Sequence, residues 1–139
     1  MNRVVDASVL VAALIDSGPD GQWAEQCLVD ATLCGPQILP VEASNILRRA
    51  ELAGVIDPTT STQAHQALNA LPIALFDHEP LAERIWSLRH TLTAYDASYV
   101  ALAEMLDGEL ATLDRRLSNA PGTHCRFALP PRTGIQEGP

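Results

Sequence analysis

The sequence predicts an α/β protein, a three-layer α/β/α arrangement around a mostly parallel central sheet of four to five strands. Two observations carry this. Short apolar runs alternate along the chain with stretches of helical periodicity, the pattern of a parallel sheet covered on both faces. The chain has 139 residues and is 47% hydrophobic, enough to bury a core as a single domain. No repeat or linker divides it. A single domain over 1–130 is expected, with 131–139 as a flexible C-terminal tail rich in Pro and Gly.

The elements follow in order. Arg3 to Asp6 reads as a short buried strand, and the apolar run Val9–Ile15 as a helix closed by the turn residues Asp16–Gly21. Trp23–Val29 is a second helical stretch, and Thr32–Cys34 a short strand before Gly35-Pro36. From Ile38 to Ala53, Leu39, Ala43, Ile46, Leu47, Ala50 and Ala53 keep helical spacing, with Gly54 placed just past the end. Pro58–Leu71 is a helix with Asp57 as N-cap and Pro58 in the first position. Ile73–Phe76 is a strand, Glu79–Thr91 a helix, Ala94–Leu106 a helix, Glu109–Leu113 a strand, Arg115–Asn119 a short helix and Arg126–Leu129 a last strand.

Composition excludes several functions. The 17 acids against 9 bases give a net charge of −8, which argues against broad, non-specific nucleic-acid binding but leaves room for a local Arg-lined groove. All the bases are Arg. Without Lys there is no P-loop, and no Lys to stand beside the Asp cluster of a receiver or a haloacid-dehalogenase-type pocket. No G-x-G-x-x-G occurs. Cys27, Cys34 and Cys125 form neither a C-x-x-C pair nor a disulfide framework, and read as small buried hydrophobes. The four histidines are dispersed with no H-x-x-x-H pair. Mean hydropathy is +0.05 and the longest apolar run is far too short for a bilayer, so a cytoplasmic protein with no membrane partner is expected.

Four acids stand in informative places. Asp6 and Asp114 each follow a strand and precede a helix, where the ligand crevice of an α/β sheet lies. Each is also a good helix N-cap. Glu42 lies near the start of its helix and borders the apolar stripe through Ile46, although a first-turn Glu also complements the helix dipole. Asp96 sits in a helix apolar on nearly all sides, where an acid needs a partner, and it also completes a Thr93-x-x-Asp96 capping box. Clustered carboxylates repel unless something positive stands among them. With no Lys and no His or Cys cluster, a hard divalent cation, Mg²⁺ or alternatively Mn²⁺, is the natural candidate. Arg48, Arg49, Arg115 and Arg116 lie close in sequence to Glu42 and Asp114 and are candidates for phosphate contacts, or for surface ion pairs. Trp23 and Trp86 read as core or interface residues, and 4% aromatic content does not support a base-stacking surface.

Val4-Val5-Asp6-Ala7-Ser8, Glu42-Ala43-Ser44-Asn45-Ile46-Leu47, Asp96-Ala97-Ser98-Tyr99-Val100-Ala101-Leu102-Ala103 and Thr112-Leu113-Asp114, in that order, resemble the PIN domain, and more closely the VapC-type toxins of VapBC toxin–antitoxin pairs. The likeness runs from about Arg3 to Leu129. It implies a metal-dependent endoribonuclease with Asp6, Glu42, Asp96 and Asp114 as its catalytic acids, and Asp6, Asp96 and Asp114 as metal ligands. Ser8 and Thr112 match hydroxyl positions used around the metal. Asn45 and Tyr99 match supporting positions, with a packing role equally open for Tyr99. Some family members carry a further acid after the fourth. Here Arg115-Arg116 follows instead, which argues against a complete second metal site. A VapB-type antitoxin, an RNA substrate and a homodimer are the partners the resemblance implies. Two other readings keep the same fold: a non-catalytic interaction module, and a metal-dependent phosphoesterase acting on DNA or small phosphate esters.

Overall fold

The computed structural model describes residues 1–132. The order of elements is β1 (Asn2–Val5), α1 (Ala7–Ile15), α2 (Pro19–Cys27), β2 (Thr32–Pro36), α3 (Leu39–Leu52), α4 (Pro58–Ala70) and β3 (Ile73–Phe76). A 3₁₀ turn over Glu79–Leu81 then leads into α5 (Ala82–Ser87), followed by α6 (Ala94–Leu106), β4 (Glu109–Ala111), α7 (Arg115–Ser118) and β5 (Arg126–Ala128). Five strands form one sheet in the order β3-β2-β1-β4-β5, and every neighbouring pair is parallel. The expected tail begins at Pro131 and Arg132, both exposed; from 133 onward it lies outside the described residues.

The strand order fixes the layers. The chain steps outward from β1 through β2 to β3, then returns past β1 to β4 and continues to β5. Right-handed crossovers in opposite directions put their helices on opposite faces. Thus α1, α2, α3 and α4 pack against one another on one side, while α6 lies on β1, β2 and β4 with α5 behind it. Both faces of the central strands are therefore covered. Val4, Val5 and Leu110 are fully buried, as are Leu10 and Leu39 from one helical layer and Val100 and Leu102 from the other. The direction of winding reverses between β1 and β4, and there the sheet's carboxyl edge opens into a crevice.

Local chemistry accounts for most boundaries. Asp57 caps α4 by accepting from the Thr60 N–H at 2.7 Å, with Pro58 at the first helical position. Gly54 follows α3 with φ of +77°, a conformation that favours glycine. β3 and α6 occupy the predicted spans. Other boundaries shift by one or two residues, α1 beginning at Ala7 and β2 running on through Pro36, and three further differences stand out. α2 starts at Pro19, inside the stretch read as a closing turn, and ends at Cys27 rather than Val29. Pro at N1 is compatible with a helix, and Gly21 is there because a Cβ would stand 1.7 Å from the Asp16 carbonyl oxygen. The 79–91 helix is shorter: it opens as a 3₁₀ turn at Pro80 and gives way after Ser87 to turns, where Thr91 donates to the Pro121 carbonyl. β4 ends at Ala111, two residues before Leu113, and the Thr112 side chain that follows is fully buried and bonded to Asp6.

Candidate functional site

The crevice is a cleft of about 270 Å³ lined by Asp6, Ser8, Glu42, Asn45, Asp96 and Asp114, with Arg49, Tyr99, Ile46 and Leu117. Four elements deliver the acids. Asp6 follows β1, and Asp114 follows β4, the strand paired with β1 through Val5↔Ala111. Glu42 comes from the first turn of α3 and Asp96 from the first turn of α6, helices on opposite faces of the sheet. Those faces meet beyond the carboxyl edge.

The local capping roles and the shared cleft coexist. Asp6 caps α1 through the Val9 N–H at 3.1 Å, and Asp114 caps α7 through the Arg116 N–H at 2.9 Å. The Thr93 hydroxyl accepts from the Asp96 N–H at 3.1 Å, leaving the Asp96 carboxylate to the cleft. Helix starts thereby orient three acids toward one space.

Thr112 joins the two central strand ends. Fully buried, it donates to Asp6 Oδ2 at 2.5 Å and accepts from the Asp114 N–H at 3.0 Å. Ser8 donates to Asp6 Oδ1 at 2.6 Å. A carboxylate offers about four lone-pair directions. The bonds from Ser8, Val9 and Thr112 leave Asp6 with room for one further partner. Glu42 receives the Tyr99 hydroxyl at 2.6 Å on Oε1.

Electrostatics mark the cluster. Burial pushes the Asp6 carboxyl upward; Ser8, Thr112 and Val9 oppose the rise and the Asp96 charge adds to it. Glu42 is raised by burial, eased by Tyr99, and raised further by Asp96 and Asp6. Asp96 is raised by burial and by Asp114, against an opposing pull from Arg116. Mutual repulsion among partly buried acids is the signature of a site short of positive charge.

The arginines divide. Arg49 lines the cleft, whereas Arg48 lies in the crevice between α3 and α4 with Ser61 and His65. Arg115 donates to the Pro130 carbonyl, which draws its guanidinium toward the segment after β5. Arg116 is 94% exposed and stands 3.6 Å from Asp114, a contact of little energetic weight. Sequence reading left Tyr99 between packing and support; the clue to its place is its position one helical turn after Asp96.

The donor set is all oxygen, four carboxylates with the Ser8 hydroxyl and the Asn45 amide, and no His or Cys lines the cleft. That chemistry fits a hard divalent cation. Among the described residues no group of three or more Asp, Glu, His or Cys side chains is placed to hold a metal ion as it stands. A Mg²⁺-like ion, which keeps several waters and uses one or two carboxylates directly, does not need such a group. Asp6, Asp96 and Asp114 line the cleft together with Glu42, and would be its acidic ligands to such an ion.

A parallel sheet with acids at its switch point defines a class, and the chain belongs to the PIN-domain family, whose pattern matches residues 3–122. It is 42% identical to the ribonuclease VapC1 of Mycobacterium tuberculosis over 130 residues, covering 91% of this chain and 96% of that protein. Solved structures share the fold. VapBC2 from Rickettsia felis, bound to a DNA fragment from its promoter, superposes with a TM-score of 0.66 at 12% identity, covering 93% of this chain and 98% of that one. VapC20 of Mycobacterium tuberculosis, a toxin that cleaves the sarcin–ricin loop, gives 0.65 at 15% identity, covering 88% and 96%. Among the described residues no helix is long and apolar enough to cross a membrane.

Proposed function

We propose that the chain is the toxin of a toxin–antitoxin pair, a Mg²⁺- or Mn²⁺-dependent endoribonuclease that hydrolyses RNA phosphodiester bonds in the cleft of Asp6, Glu42, Asp96 and Asp114. The observation that carries the reading is the placement of four carboxylates on one cleft, three of them raised by burial and by one another. The likeness to ribonuclease VapC1 supports it. When bound, the cation supplies the positive charge that the phosphoryl oxygens and the attacking water require.

The chain's own groups divide the remaining work. Thr112 and Ser8 hold Asp6 in one orientation, so the carboxylate is preorganised. Glu42 and Asp96, each raised from its ordinary value by burial and neighbouring charge, are placed to accept a proton from a water held in the cleft. Arg49 offers its guanidinium to a phosphate at the rim. The reading also includes a VapB-type antitoxin, a homodimer and a cytoplasmic setting. An apolar groove of about 370 Å³ beside the cleft, lined by Ile38, Leu81 and the exposed Val41 and Tyr95, is the kind of surface a protein partner covers.

The test is cleavage by the purified chain of RNA, DNA and a small phosphate ester, with Mg²⁺, with Mn²⁺ and with chelator. RNA cleavage that disappears in chelator and in Asp6→Asn is expected. Undiminished cleavage in chelator overturns the metal reading, and equal turnover of DNA or the ester overturns the assignment to RNA.

A further inference from the structure

Tyr99 is 3% exposed, and its hydroxyl donates to Glu42 Oε1 at 2.6 Å. The two residues are 57 apart in sequence and on different helices, so this bond ties α6 to α3 across the cleft. Among the described residues the Glu42 carboxylate has no other hydrogen-bond partner. Tyr99 lies three residues after Asp96 on α6, and both line the cleft. One helical face thus presents an acid of its own and steadies an acid from another helix. A phenylalanine would fill the same buried space, so packing alone gives no reason for the oxygen.

We infer that Tyr99 is a positioning residue: its hydroxyl holds Glu42 by Oε1 and leaves Oε2 for the cleft, in the orientation that favours uptake of a divalent cation. Without the hydroxyl, Glu42 regains its side-chain freedom and swings away from Asp6 and Asp96, which repel it. The phenol itself is almost wholly buried, and its oxygen is engaged by Glu42. This inference rests on the metal-dependent reading of the cleft.

The experiment is a double-mutant cycle read by Mn²⁺ binding in isothermal titration calorimetry, with far-UV circular dichroism to confirm folding. Tyr99→Phe keeps the ring and removes only the oxygen. It should bind Mn²⁺ about tenfold more weakly, the low end of the range for groups that orient metal-binding side chains. Glu42→Ala should also weaken binding, and adding Tyr99→Phe to it should cost nothing further, because the hydroxyl then has no carboxylate to hold. If Tyr99→Phe does not fold in plain buffer, the cycle is run in trimethylamine N-oxide, which favours the compact state, and the same loss is expected. Wild-type affinity in Tyr99→Phe overturns the inference. So does a loss of equal size in the Glu42→Ala background, which would place the effect elsewhere. A wild-type chain that takes up no Mn²⁺ overturns the metal reading as well, whereas a binding wild type beside an unaffected Tyr99→Phe overturns this inference alone.

Discussion

Thr112→Val tests how the two central strand ends are held together. Valine keeps the shape of threonine but replaces the hydroxyl with a methyl group. Two hydrogen bonds disappear: the one donated to Asp6 Oδ2 at 2.5 Å and the one accepted from the Asp114 N–H at 3.0 Å. A bond to a charged group contributes about 1.5–3 kcal/mol and a neutral one about 0.5–1.5 kcal/mol. Because Thr112 is fully buried, water does not replace what is lost. The expected destabilisation is about 2–4 kcal/mol, with the remaining bonds to Asp6 from Ser8 and Val9 limiting the total. At about 4 °C per kcal/mol for a domain of this size, the Tm should fall by roughly 8–15 °C. Urea unfolding in chelator at pH 7, followed by circular dichroism, measures it. Thr112→Ser keeps the hydroxyl and removes one methyl, so it should cost only about 1 kcal/mol. A Val variant as stable as wild type, or a Ser variant less stable than the Val variant, refutes the bridging role.

Three further outcomes follow from the same cluster. Raised carboxyl pKa values mean that the metal-free fold binds more protons than the unfolded chain, so Asp6, Glu42 and Asp96 cost stability as pH rises through the unfolded and then the folded values. Asp96→Asn should therefore melt at or above the wild type at pH 7 in chelator, and the difference should shrink as the pH is lowered; a variant that is less stable at pH 7 and equal at low pH contradicts the repulsion. Mg²⁺ or Mn²⁺ at a hundred times its dissociation constant should stabilise the wild type by about 2.7 kcal/mol, and Asp96→Asn should lose most of that gain; an undiminished shift removes Asp96 from the site. Arg49→Ala should flatten the salt dependence of RNA binding by about 0.7 in log–log slope while Arg48→Ala leaves it unchanged, measured by fluorescence anisotropy; equal effects of the two would deny Arg49 its distinct place.

Much of the architecture was legible from local pattern. Alternating strand and helix runs implied a parallel sheet, and β3 and α6 matched their predicted spans because turn and capping residues flank them closely. α2 was misplaced because Gly18-Pro19-Asp20-Gly21 reads locally as a breaker, and only the approach of the Asp16 carbonyl explains Gly21 inside a helix. The four acids were legible because strand ends and helix starts are local features, and each acid also serves or borders a cap. What those caps share was not legible.

By itself the sequence determined the α/β class, the acids and the all-oxygen chemistry of a chain without lysine. Tertiary structure decided the strand order that sets β1 beside β4, and with it the bridge from Thr112 to Asp6 over 106 residues. It also decided that Arg49 faces the cleft while Arg115 reaches the Pro130 carbonyl, and that Tyr99 meets Glu42. The physical reason is range. Caps, turns and periodicity act within a few residues, and the sequence displays them directly. The contacts that complete the cleft join distant segments, and they exist only once burial of the shared core has brought those segments together.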